Sequence, residues 1–187
     1  MQKTRGNVLR RRSWLVFPWI AIVGLGVGML LAVFKVSSVN GFRTGWQGIP
    51  VYLALAGISG RVANCKVDLR EDVILVVNLV RTHVLPRTAI RGVSVGDDGT
   101  LEVHLDHERE IAVFAFGGSV IDRFRGTSSE AEWKIRTWLN SDVSVRESED
   151  AGGPHVRWTR CTSADLALLL CAVISGMGAI WMALSGS

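Results

Sequence analysis

Apolar positions divide this chain into three regimes. Trp14–Phe34 and Leu166–Leu184 contain no charged residue over 21 and 19 positions. At ~1.5 Å per residue each would make a helix ~30 Å long, the thickness of a bilayer's hydrocarbon core. From Val62 the pattern changes to short runs that alternate or are rich in β-branched residues. Val73–Val80 (VILVVNLV) has the composition of a buried strand. Val62–Leu69, Thr82–Leu85, Ala89–Val95, Leu101–Leu105 and Glu110–Phe116 are the other predicted strands, and Gly96-Asp97-Asp98-Gly99 and Asp106–Arg109 are the turns. Six short strands with turn signals between them predict an antiparallel sandwich or a partly open barrel.

After the strands the period becomes helical. Ala131, Ile135, Trp138 and Leu139 form one apolar stripe. Ser129 and Glu132 have capping-box spacing, which predicts Ser129 as the N-cap. Trp138 lies on the stripe, as a plug against an open sheet. Trp133 lies off it, which leaves it for a partner or the membrane. Ser141–Pro154 is acidic and contains glycine, and reads as a flexible linker.

The flanking charges orient the spans. Lys3, Arg5, Arg10, Arg11 and Arg12 precede the first, which places its N-terminus in the cytoplasm. Its apolar core is longer than that of a signal peptide and no Ala-x-Ala site follows, so it is expected to remain as an anchor. Arg157 and Arg160 precede the last span, so both long spans run outward. Two outward spans require an inward one between them. Gly45–Gly60 is the only candidate; it has no charge, and Arg61, Lys66 and Arg70 follow it. The alternative is two spans, with Gly45–Gly60 interfacial and the β domain outside the cell. Gly24-x-x-x-Gly28 and Ser175-x-x-x-Ala179 are small-residue pairs suited to close helix packing.

The net charge of +4 is concentrated at the membrane ends. Val62–Asp142 holds ten basic and thirteen acidic residues, so the domain itself is net acidic. The basic residues are a topology signal, and no nucleic-acid partner is expected. Cys65, Cys161 and Cys171 have neither metal-ligand spacing nor the number for a disulfide framework, and are read as free thiols.

One stretch is more specific. Asn78-Leu79-Val80-Arg81-Thr82, Leu85-Pro86 and Ile90, followed by Leu101-x-Val103-x-Leu105 and Ile111-x-Val113, resembles the bacterial pleckstrin-homology-like domain of small actinobacterial membrane proteins. The resemblance covers roughly residues 45–120. It departs at Arg87, where that family often has Trp. It implies a strongly bent antiparallel sheet capped by a C-terminal helix, on the cytoplasmic side of a membrane hairpin. It implies no activity.

No chemistry-bearing motif stands out. His104 and His107 are separated by an odd number of positions, so a strand would point them to opposite faces, and they read as part of an exposed turn. No catalytic, cofactor or metal residue is expected, and the chain is not expected to be an enzyme. Charges within the long spans would indicate transport, and there are none. Arg81, Arg87 and Arg91 are the candidate contacts for a lipid or a partner. The expected fold class is α+β: a basic tail (1–13), a transmembrane helix (14–34), a short second membrane segment (45–60), the pleckstrin-homology-like domain (62–141), a linker (142–163) and a last transmembrane helix (166–184). The expected function is a multi-pass cell-membrane protein presenting this domain, on the cytoplasmic side, to a membrane protein or to its own copy. The alternative is a module that senses lipid headgroups at the inner leaflet.

Overall fold

The computed structural model describes residues 7–11, 13–105, 109–117, 127–141 and 153–185. The chain divides into two compact units, Met1–Trp14 with Asn64–Thr159, and Leu15–Ala63 with Arg160–Ser187.

The first unit contains two antiparallel sheets. β1 (Asn7–Leu9), β2 (Lys66–Leu69), β3 (Val73–Val77), β4 (Arg81–Pro86) and β8 (His155–Trp158) form one, in the order β1-β2-β3-β4-β8. β5 (Ile90–Val95), β6 (Leu101–Leu105) and β7 (Glu110–Ala112) form the other, in that order. Alternation explains which face each sheet buries. Val67, Leu69, Ile74, Val76 and Leu85 point inward from the first sheet, and Val93, Leu101 and Val103 from the second. Helix α4 (Thr127–Asn140) covers the second sheet and inserts Ala131 and Ile135 into the same core. Arg136 fastens it there, donating from Nε and Nη2 to the carbonyl of Val93 at 3.2 and 3.0 Å.

Each of the six predicted strands is present, but their surroundings differ from the sequence reading. Val62–Asn64 continues a helix, so the first of them starts at Lys66. The basic tail contains β1, whose register aligns Leu9 with Val67 and buries it in the core. The expected 142–163 linker contains β8, which pairs with β4 from Arg81↔Trp158 to Val84↔His155. Three or four residues are too few to show a period, and each added strand is held by the edge it covers. Thr159 secures the end of β8: its N–H donates to Val80, and its hydroxyl lies 2.8 Å from that of buried Thr82. Ser129 is not the N-cap. The helix begins two residues earlier and buries Ser128 on the Ala131–Ile135 face, while Glu132 pairs with Arg136 at 2.7 Å.

The second unit is helical. α1 (Ser13–Asn40) runs past Lys35 and ends before Gly41, whose φ of 78° suits a helix terminator. A short turn of helix, α2 (Phe42–Gly45), leads to α3 (Gly48–Asn64). Pro50 lies in the first turn of α3, where its missing N–H costs nothing. α5 (Thr162–Ser185) closes the chain. Tyr52 meets Gly26 and Met29 meets Gly48, so α1 and α3 are antiparallel. Leu168 meets Gly57 and the Trp46 ring covers Gly178, so α5 is antiparallel to α3. The predicted Gly24–Gly28 pair makes no such contact, since a Cβ at either position meets nothing within 4 Å. Gly26, between them, is the close approach on α1.

Two helical stretches, Val16–Asn40 and Thr162–Ser185, are long and apolar enough to cross a membrane, with mean hydropathies of 2.3 and 2.2. Almost none of either is buried within the chain; Phe17, Ile20, Leu30, Leu31 and Phe34 on the first and Leu169, Met177 and Leu184 on the last are exposed. Apolar surface on this scale requires a nonaqueous surrounding or a partner. Where α3 ends and α5 begins, Arg61 Nη2 donates to Asp165 Oδ1 at 2.7 Å, and Asp165 Oδ2 accepts the Cys161 N–H. One carboxylate thus caps α5 and holds α3 to it.

Candidate functional site

Two recesses open on the first unit. The larger, about 460 Å³, lies between the outer sheet edge and α4. Val8, Leu9 and Leu69 line it from the sheet, and Trp133, Lys134, Thr137 and Trp138 from the helix. β1 is an edge strand, so one row of its backbone donors and acceptors has no strand partner among the described residues. Trp138 is fixed in place: its Nε1 donates to the Arg70 carbonyl at 2.8 Å, and the Arg87 guanidinium stacks on its ring at 5.1 Å. Trp133 is free to meet a ligand, with 66% of its surface exposed. Lys134 lies 2.6 Å from Glu130, whose carboxyl it holds below the usual range by hydrogen bonding and charge. The groove therefore combines an apolar floor, two indoles, a polar rim and a strand edge.

The second recess, about 430 Å³, lies at the β3–β4 turn between the two sheets. Leu79, Val80 and Phe114 supply apolar walls, and Arg81 and His83 the charge. Asn78 shapes it: its amide donates to the Ala112 carbonyl at 3.0 Å and accepts the Phe114 N–H at 2.9 Å. His83 is held below its ordinary pKa, first by burial and then by the charge of Arg81. It is therefore neutral at neutral pH, which leaves Arg81 as the cation of this recess.

The three candidate arginines do not converge. Arg81 begins β4 and Arg87 follows its end, a separation of ~20 Å for an extended strand. Arg87 is occupied internally, donating from Nη2 to the Leu139 carbonyl at 2.7 Å and to the Ser141 carbonyl. The first belongs to the last turn of α4 and the second lies just past it, where helix carbonyls have no intrahelical donor. Arg91 is exposed on β5 and belongs to neither recess. Of the three, only Arg81 lines a recess.

One family comparison covers the strands of this unit. A family model described as a bacterial PH domain matches residues 64–118. This stretch is a bacterial PH domain. It runs from just before β2 through the turn of 3-10 helix at Phe114–Phe116. β1, α4 and β8 lie outside the matched stretch, with β1 and β8 at the two edges of the first sheet. A search of curated proteins finds no match, and a search of solved structures finds none either.

The groove beside β1 was not legible in the sequence, because half of it comes from a strand in the basic tail. The off-stripe position of Trp133 was its one signal. His104 is also placed differently from the sequence reading. Its neighbours on the outer face of β5–β7 are Glu102, Glu110 and Ser94, brought there by strand register. His107 lies outside the described residues.

Proposed function

We propose that this chain is a multi-pass membrane protein, of the kind found among small actinobacterial membrane proteins, whose PH domain captures a protein partner at the cytoplasmic face. The groove beside β1 carries this reading. An exposed indole over an apolar floor, here Trp133 beside half-buried Trp138, is a usual anchor of protein contacts, and an open strand edge accepts an extended peptide. The domain functions as a binding module rather than an enzyme.

The fold also supports three spans. β1 precedes α1 and β2 follows α3, yet the two strands pair. In this reading both ends of the α1–α3 excursion lie on one side of the membrane. If α1 crosses, α3 crosses back, and α5 then leaves from the side that holds β8. In a cysteine-free background, single cysteines placed at Val156 and Ser187 report the arrangement. An impermeant thiol reagent on intact cells is expected to label position 187 and to reach position 156 only after lysis. Labelling of position 156 in intact cells would overturn the cytoplasmic placement.

A photo-crosslinking residue at Thr137, which lines the groove and leaves both indoles in place, tests it in the full chain. A discrete protein adduct is expected, either another protein or a second copy, and is not expected from the same residue at Arg91. Truncating an indole anchor usually costs at least ~2 kcal/mol of binding, so adding Trp133→Ala is expected to lower capture ~30-fold. Equal protein adducts at positions 137 and 91 would remove the proposal. Arg81, exposed beside Leu79 and Val80, favours the second reading, contact with lipid headgroups. Lipid adducts at position 81 with no protein adduct at 137 would select it.

A further inference from the structure

The outer face of the three-stranded sheet bears a group of donors that the protein-binding reading does not use. Glu102 and His104 are two residues apart on β6, so they project from one face. Register sets Glu110 opposite His104 and Ser94 opposite Glu102. A ligand atom from each of Glu102, His104 and Glu110 lies within 4.8 Å of the other two. His104 Nδ1 is 3.1 Å from Glu110 Oε1, and His104 Nε2 is 2.6 Å from Ser94 Oγ.

We propose that Glu102, His104 and Glu110 bind a divalent transition-metal ion of the zinc class, with Ser94 orienting the imidazole. Nitrogen and oxygen ligands at ~2.0–2.2 Å from one ion, at tetrahedral to octahedral angles, are ~2.9–3.6 Å apart. The separation of Nδ1 and Oε1 falls within that range. Ser94 provides the second feature. Metal-binding histidines are normally fixed through their other ring nitrogen. With Ser94 Oγ accepting from Nε2–H, the Nδ1 lone pair faces the Glu110 carboxylate, and with a Glu102 ligand atom within 4.8 Å a cation there is held by all three.

The surroundings suit a small ion. No lysine or arginine pairs with either carboxylate among the described residues. Gly92 and Ala112 flank the group on the same face, and a Cβ at Gly92 would meet nothing within 4 Å. Water can therefore complete the coordination shell. One imidazole with two carboxylates favours zinc, cobalt or nickel over magnesium and calcium, which prefer oxygen alone.

Isothermal titration of the full chain in detergent with Zn²⁺, alongside the visible spectrum with Co²⁺, tests the site. One ion per chain is expected. His104→Ala and His104→Gln are expected to abolish binding; the glutamine preserves strand polarity should the alanine variant fold poorly. Glu102→Gln and Glu110→Gln are each expected to weaken it at least tenfold, and Ser94→Ala ~10- to 100-fold. His107→Ala is expected to leave it unchanged. No binding by the parent chain, undiminished binding by a folded His104 variant, or loss of binding in His107→Ala would each overturn the proposal.

Discussion

Replacing Arg87 with alanine is expected to destabilise the PH domain and its capping helix by about 2–3 kcal/mol, on the scale of a lost hydrogen bond to a charged group plus a cation–π contact. The guanidinium joins the end of β4 to α4. It donates to the Leu139 carbonyl in the last turn of α4 and to that of Ser141 just past it, and it stacks on Trp138 of the same helix. Removing it leaves terminal helix carbonyls without a donor and one side of the indole without a neighbour. Lysine is expected to recover less than half of the loss, because a point charge cannot stack and donate as a planar fork does. Tryptophan, the residue often found here in the related family, is expected to restore the aromatic packing while leaving the carbonyls unpaired. Hydrogen exchange in the full chain provides the measurement, with faster exchange expected in the α4 amides above all. A change below ~0.5 kcal/mol, the scale of an ordinary surface substitution, would show that Arg87 is ornamental. Because Trp138 also lines the groove, the alanine variant is expected to weaken partner capture as well.

Substituting leucine for Gly57 is expected to separate α3 from α5. A Cβ at this position would lie 2.7 Å from Leu168 Cγ and 3.2 Å from the Ala164 carbonyl oxygen. Leu168 can change rotamer, but the carbonyl belongs to the α5 backbone and cannot yield. Overpacking of this kind costs ~1–3 kcal/mol even where the surroundings adjust. In lipid no hydrophobic force drives the helices back together, so loss of close packing is felt directly. An engineered crosslink reports it. A Cβ at Gly60 would lie 3.3 Å from that of Ala164, close to the ~3.5–4.5 Å of a disulfide. With the native cysteines replaced, G60C with A164C is expected to oxidise readily, and Gly57→Leu to prevent it. Gly24→Ala is expected to leave the crosslink intact. Equal oxidation with and without Gly57→Leu would mean that α3 and α5 do not meet as described.

The contrast between Gly57 and Gly24 shows where the sequence stops being informative. Both are glycines in apolar helices, and the spacing of Gly24 and Gly28 is the more suggestive. A small residue matters only where another helix faces it, and that depends on the third dimension. Arg87 teaches the same lesson from the other side. Its position within a loose motif marked it as a surface contact, whereas its partners come from a helix more than fifty residues later. The short strands β1 and β8 lie in segments whose composition reads as tail and linker. Neither has enough residues to display a period, and each becomes a strand because an edge of the sheet is available to it.

The local periodicities of the chain were legible in the sequence. Freedom from charge over 21 and 19 positions marks the two long apolar helices, since no compensating pattern can hide that much greasy surface. Alternation marks the six strands of the PH domain, and a helical stripe places Ile135 in its core. These are local periodicities, and backbone geometry converts them into faces without reference to anything distant. Tertiary structure alone decided that the tail strand pairs with β2, that Trp133 stands over an open groove, and that Ser94, Glu102, His104 and Glu110 share one face. Each of those depends on strand register or helix docking, which residues far apart in sequence set together by burying the same core.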